Sequence, residues 1–178
     1  MTRVRTWSLV ALAASGLGLA ACSSSTASPS TTVAPRATSA PASIGTIADP
    51  SAAGTFGSEP TITVPPGAPP TQLESKDLIV GTGPAAKAGD KVTVQYVGVA
   101  YSTGKVFDAS WSRNQPFQFT LGLGQVITGW DQGVVGMQVG GRRELIIPPS
   151  LAYGSSSPGP GIAANDTLIF IVDLVKIN

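Results

Sequence analysis

From about Leu73 to the C-terminus, apolar and polar positions alternate in short runs broken by glycine-rich turns. This is the period-two pattern of half-buried strands. Lys91 to Ala100 places Val92, Val94 and Tyr96 on one face and Thr93, Gln95 and Val97 on the other. Leu78-Ile79-Val80 runs into Gly81-Thr82-Gly83-Pro84, a strand followed by a turn. Ser102 to Lys105 reads as a turn into Val106-Phe107, and Phe117 to Leu121, Glu144 to Ile147 and Thr167 to Ile177 supply further strands. Thr128 to about Val135 is the one stretch with helical spacing: Val126, Trp130 and Val134 stand four apart and stack on one face. Gly129 and Gly133 are poor helix formers, so tertiary packing must hold that helix. These elements predict an α+β fold, a curved antiparallel β-sheet wrapped around one short α-helix. Upstream, Thr61-Ile62-Thr63-Val64 is β-prone and bounded by prolines. It is either a leading edge strand, the reading favoured here, or a piece of linker.

The first residues follow other rules. Met1 to Arg5 is basic, and Trp7 to Ala20 is an uncharged run of apolar and small residues. That is the layout of a secretory signal, shorter than the about 20 residues of a spanning helix. The run ends Leu19-Ala20-Ala21-Cys22, followed by three serines, and resembles the bacterial lipobox. The resemblance implies a diacylglycerylated Cys22 at the mature N-terminus; the plainer alternative is a secretory signal with an incidental cysteine at its cut. At about 0.8 kcal/mol per buried methylene, several acyl chains would anchor the protein firmly. Cys22 is the chain's one cysteine, so an internal disulfide is ruled out. Ser23 to about Gly57 is a Ser/Thr/Ala/Pro tract with almost no large apolar residues, and cannot offset its own ordering entropy. The expected layout is therefore a signal peptide over 1–21, a disordered tether over 22–57 with a reach of roughly 30–40 Å, and a folded domain over 58–178 with its core from 73. It predicts a lipid-anchored protein on the extracytoplasmic face of the cell membrane.

Composition narrows the chemistry. The formal charge is +1, with Arg3 and Arg5 in the leader, and no basic stripe remains to neutralise phosphates, so nucleic acid is not an expected partner. The chain has no histidine, which removes Ser-His-Asp and Cys-His catalysis and leaves zinc almost without its usual ligands. Taken singly, Tyr96, Phe107, Phe117, Phe119, Trp130, Tyr153 and Phe170 read as the core of a small β domain.

Their order and setting point further. Val94-Gln95-Tyr96-Val97-Gly98, Gly104-Lys105-Val106-Phe107-Asp108-Ala109-Ser110 and Asn114-Gln115-Pro116-Phe117-Gln118-Phe119 are followed by Gln125-Val126-Ile127-Thr128-Gly129-Trp130-Asp131-Gln132-Gly133-Val134. Met137 to Gly141, Ile147-Pro148-Pro149-Ser150-Leu151-Ala152-Tyr153-Gly154 and Asn165 to Phe170 complete the series. Together, and without large gaps, these runs resemble the FKBP-type peptidyl-prolyl cis–trans isomerases. The resemblance implies Trp130 as a pocket floor beneath a substrate proline ring, with Tyr96, Phe107, Phe117 and Phe170 as walls. It places Val126 and Ile127 just before the helix, the Ile127 N–H binding a substrate carbonyl. Tyr153 becomes a phenolic donor at the rim, Ile162 an apolar contact from a long loop, and Asp108 the one carboxylate facing the site. Asp108 reads first as a structural acceptor for Tyr96 or Arg113, and second as a direct electrostatic participant.

Such chemistry needs no nucleophile, metal, acid–base pair or cofactor, because only rotation about an amide is accelerated. The implied partners are Pro-containing segments of exported proteins and macrolide inhibitors. A non-catalytic module that uses the same groove to bind such segments is the alternative. The sequence departs from the family where many members carry two prolines: here the loop reads Ile162-Ala163-Ala164, which leaves it less constrained.

Overall fold

The computed structural model describes residues 53–178. The leader, Cys22 and most of the expected tether lie outside the described residues. In chain order the elements are β1 (Glu74–Ile79), β2 (Lys91–Ala100), β3 (Val106–Ala109), β4 (Phe117–Thr120), α1 (Thr128–Gly133), β5 (Arg142–Ile147) and β6 (Leu168–Ile177). Single 3-10 turns lie at Trp111–Arg113 and Pro149–Leu151. The strands form one antiparallel sheet in the order β1-β5-β6-β2-β3, and β4 also pairs with β2.

β2 is the organising strand. Its first half pairs with β4 (Val94 opposite Phe117) and its second half with β3 (Gly98 opposite Asp108), while β6 runs along its other edge. Register shifts between Thr93 and Val94 and between Gly98 and Val99 interrupt these ladders. Such irregularities add local bend and twist, consistent with a sheet that curves around α1. The period-two pattern then sorts side chains. Val92, Val94, Tyr96, Leu145, Ile147, Leu168, Phe170, Val172 and Leu174 join Trp130 and Val134 in one buried cluster, whereas Ile146 and Ile169 belong to a second.

The helix is short and seated on β5. A Cβ at Gly129 would lie 2.4 Å from Ile147 Cγ2, and one at Gly133 would lie 2.6 Å from Leu145 Cδ2. Residues with low helix propensity stand here because any side chain would lift α1 off the sheet. The helix also stops at Gly133, two residues before the expected end. Val134 caps it and Gly136 turns away at φ +83°. Val126 precedes the helix instead of extending its face. β1 likewise ends before Val80, which is 71% exposed. The chain then presses against its neighbour at Gly81, where a Cβ would meet Val139 O at 2.4 Å.

One expectation for the N-terminal part is corrected. Thr61–Val64 is not a strand: it pairs with no neighbour among the described residues, and Ile62 and Val64 pack instead with Tyr101 on the Ile146–Ile169 cluster. Pro60, Pro65 and Pro66 lack an N–H, so a ladder cannot be continued past either end of the segment, and Tyr101 Oη donates to the Pro65 carbonyl (3.0 Å). Contacts with the sheet are also made ahead of residue 58. Arg142 donates to the Ala53 carbonyl (2.8 Å) and the Ser58 carbonyl (2.6 Å), and Gly57 N–H donates to Asp173 Oδ2 (3.0 Å). Residues 53–57, low-complexity by composition, are captured by backbone groups that composition does not register.

Candidate active site

Along this edge of β2 the pairing lapses beside Tyr96, between its β4 and β3 partners, and Ser110 fills the gap. Tyr96 N–H donates to Ser110 Oγ (2.8 Å), Ser110 N–H donates to the Tyr96 carbonyl (3.0 Å), and Ser110 Oγ also donates to Gln95 Oε1. This stitch lets the chain swing out through Trp111–Arg113 and brings Arg113 back over Asp108. Tyr96 Oη donates to Asp108 Oδ2 (2.5 Å) and accepts from Arg113 Nη2 (2.8 Å), while Arg113 Nη1 donates to Asp108 Oδ1. The first expectation for Asp108, a structural acceptor, matches this geometry. Burial alone would raise its carboxyl, but the hydrogen bonds from Tyr96 and Arg113 and the guanidinium charge outweigh that and hold it below the usual value. The Tyr96 phenol is pushed up to about 12, first by burial and then by its bond to the carboxylate.

Below this triad the rings interlock. Trp130, 4% exposed, meets Tyr96 edge-on at 5.1 Å (87°) and Phe170 at 5.2 Å (89°), and Phe117 stands at 6.2 Å. Phe107 meets Phe170 at 5.6 Å. These are favourable aromatic geometries and make the walls stiff. Gly98 makes the arrangement possible, since a Cβ there would lie 2.7 Å from both Phe107 Cζ and Phe170 Cε1.

The rings surround a cavity of about 200 Å³ lined by Tyr96, Phe107, Asp108, Phe117, Gln125, Val126, Ile127, Trp130, Tyr153 and Phe170. Nine of the ten residues proposed from sequence thus line one concavity. Ile162 does not line it, although it is buried in the same apolar cluster as Tyr96, Trp130 and Phe170, on a loop that Ser157 Oγ closes by donating to the Ile162 carbonyl (2.6 Å). Gln125 was missed, although it stands in the quoted run before Trp130. Its side chain folds back so that Thr120 N–H donates to Oε1 (2.8 Å), a local contact with no sequence signature.

Two donors of the lining residues are unengaged. The Ile127 amide and the Tyr153 hydroxyl make no hydrogen bond among the described residues. Tyr153 is 39% exposed, and its phenol is raised by burial and by the Asp108 charge, so it remains a donor at neutral pH. The site therefore offers an apolar floor and walls, two unengaged donors, and a carboxylate already committed to neighbours.

Known proteins resemble this chain. Residues 83–175 match the family model described as FKBP-type peptidyl-prolyl cis-trans isomerase. The chain is 60% identical over 120 residues to the FK506-binding protein of Streptomyces anulatus, covering 67% of this chain and 97% of that one. It is 47% identical over 118 residues to the probable FK506-binding protein of Corynebacterium glutamicum, covering 66% and 98%. Among solved structures, the crystal structure of AtFKBP13 superposes with a TM-score of 0.55 at 38% identity, over 60% of this chain and 93% of that one. FkpA from Escherichia coli gives 0.54 at 40% identity, over 60% and 48%.

Proposed function

The chain belongs to the FKBP-type peptidyl-prolyl cis–trans isomerases, and we propose that its aromatic pocket isomerises X–Pro bonds of exported polypeptides while an acylated Cys22 holds it outside the cytoplasmic membrane. The observation that carries the site assignment is the cavity over Trp130 flanked by two donors without a protein acceptor among the described residues.

The mechanism follows from amide physics. Rotation meets a barrier of about 18–20 kcal/mol because the planar amide is stabilised by charge separation. The two X–Pro isomers differ by only about 0.5–1 kcal/mol, so the enzyme lowers a barrier and drives no equilibrium. The proline ring sits on Trp130 between Tyr96, Phe107, Phe117 and Phe170. An apolar surround disfavours the charge-separated planar form relative to the twisted one, and binding that favours the twisted form raises the rate. The Ile127 N–H and Tyr153 Oη hold the carbonyls that flank the rotating bond. Asp108 shapes the wall through Tyr96 and Arg113. A gain of about 7 kcal/mol corresponds to roughly five decades in rate. A macrolide such as FK506, named for the two relatives, would compete for the same cavity.

A protease-free prolyl-peptide assay on the full-length chain tests the site. Trp130→Leu is expected to lose most of the acceleration while remaining folded, and FK506 to inhibit the wild type. A fully active Trp130→Leu protein would disprove the assignment. For the anchor, Cys22→Ser should move the protein from the membrane fraction to the soluble one; continued membrane association would refute acylation at Cys22.

A further inference from the structure

The connection from β4 to α1 supplies Gln125, Val126 and Ile127 to the pocket. Backbone bonds to Gly89 and Asp90 fix Leu121 at its start, and two side chains hold the rest. Asp131, in the first turn of α1 and next to Trp130, accepts the Gly122 N–H on Oδ1 (2.9 Å) and the Gly124 N–H on Oδ2 (3.0 Å). Gln125 Oε1 takes the Thr120 N–H. Gly122 and Gly124 adopt φ of +80° and +65°, a backbone that side chains other than glycine's rarely tolerate. The carboxylate thus ties the loop to the helix at two points, one through each oxygen.

We propose that Asp131 is a positioning residue for isomerisation: by gripping the Gly122 and Gly124 amides it sets the pocket rim, with its Ile127 N–H, in register with the Trp130 floor. The proposal rests on the cavity being the isomerisation site. Floor and rim belong to one short segment, but the glycines between β4 and α1 would let the rim drift. Displacement of a positioned group by even an ångström is costly in rate. An acidic residue in a first turn also offsets the helix dipole. That role leaves the carboxylate free to face solvent, whereas here both oxygens are occupied by loop amides and none by a helix amide.

The test uses the full-length chain, with kcat/KM measured per folded molecule in the protease-free assay. Asp131→Ala is expected to lower it about tenfold, the scale of one misplaced hydrogen bond. Asp131→Asn, which keeps one acceptor oxygen, should fall between that variant and the wild type. Amide exchange should speed up across residues 121–125 in both. Thr103→Ala is the control: it removes an acceptor from the Lys105 N–H (3.3 Å) in the exposed turn between β2 and β3, outside the pocket lining, and should leave kcat/KM unchanged. If Asp131→Ala does not fold, Asp131→Asn carries the test. Values within twofold of wild type for the folded Asp131 variants, or a loss equal to that of Thr103→Ala, would overturn the proposal. Trp130→Leu in the same series separates the failures: if it is inactive while the Asp131 variants are normal, only the positioning role falls. If Trp130→Leu is fully active, the site reading falls and this proposal with it.

Discussion

Removing Asp173 should damage the fold far more than removing its surface counterpart. Arg142 on β5 and Asp173 on β6 face each other across the sheet, with side chains 0% and 2% exposed. The guanidinium donates from Nε to Oδ1 (2.5 Å) and from Nη2 to Oδ2 (2.8 Å), and its remaining donors reach Ala53 and Ser58. Asp173→Ala leaves a buried positive charge without a counter-charge, a change that costs about 3–5 kcal/mol. Against a usual total of about 5–15 kcal/mol, that is a large share, and it should appear as a Tm lowered by about 10–20 °C. Arg113→Ala breaks a pair whose side chains are 47% and 38% exposed, so its stability effect should stay below about 1 kcal/mol. Replacing both buried partners, as in Arg142→Met with Asp173→Leu, removes the stranded charge and should recover much of the loss. It should also free residues 53–58 to proteases, because their carbonyl and amide partners are gone. Urea unfolding of the variants, with limited proteolysis of the double one, reads all of this. A cost for Asp173→Ala no greater than that of Arg113→Ala would refute the reasoning from burial.

Three further outcomes are expected. The pH profile of kcat/KM should be flat from about 5 to 9. Asp108 is held below its ordinary value of 3.8 and so is ionised throughout, Tyr96 is raised to about 12, Tyr153 is raised too, and the chain has no histidine. An inflection inside that window, seen in the protease-free assay, would contradict the site chemistry. Glu144, whose buried Oε2 accepts no hydrogen bond among the described residues, is raised by burial, opposed by Lys76 and reinforced by Glu74. Its charge therefore destabilises the fold above the raised value, and the penalty fades as pH falls toward 4.5. Glu144→Gln should raise the Tm at pH 7 by an amount that shrinks toward that pH, and a pH-independent difference would count against it. Gly98→Ala forces a methyl against Phe107 and Phe170, so about 1–3 kcal/mol should be lost to overpacking. Activity per folded molecule should fall as well; unchanged activity would mean that the pocket wall is more adaptable than its geometry implies.

Much of the domain was legible because its information is local. Alternation in Lys91–Ala100 marked β2 with the bounds observed, and the ordered runs around Tyr96, Phe107, Phe117, Trp130 and Phe170 marked residues that the fold gathers into one cavity. Glycines 129 and 133 announced that packing, not propensity, would hold the helix. Their contacts with Ile147 and Leu145 supply the reason.

What only tertiary structure decided depends on groups that carry no periodic signal. The seating of residues 53–58 turns on backbone carbonyls and one amide meeting Arg142 and Asp173, some 84 to 116 positions away in the chain. Thr61–Val64 has the composition of a strand, but prolines and the apolar patch of Ile146, Ile169 and Tyr101 make it a packed extended segment. Ser110 filling the gap beside Tyr96, Gln125 folding onto Thr120 and Asp131 gripping two glycine amides are each ordinary polar residues in sequence. Hydrophobic spacing determines which face of an element is buried, because that depends on period alone. Which donor meets which acceptor depends on where the folded chain brings them, and that is set by strand register and loop geometry.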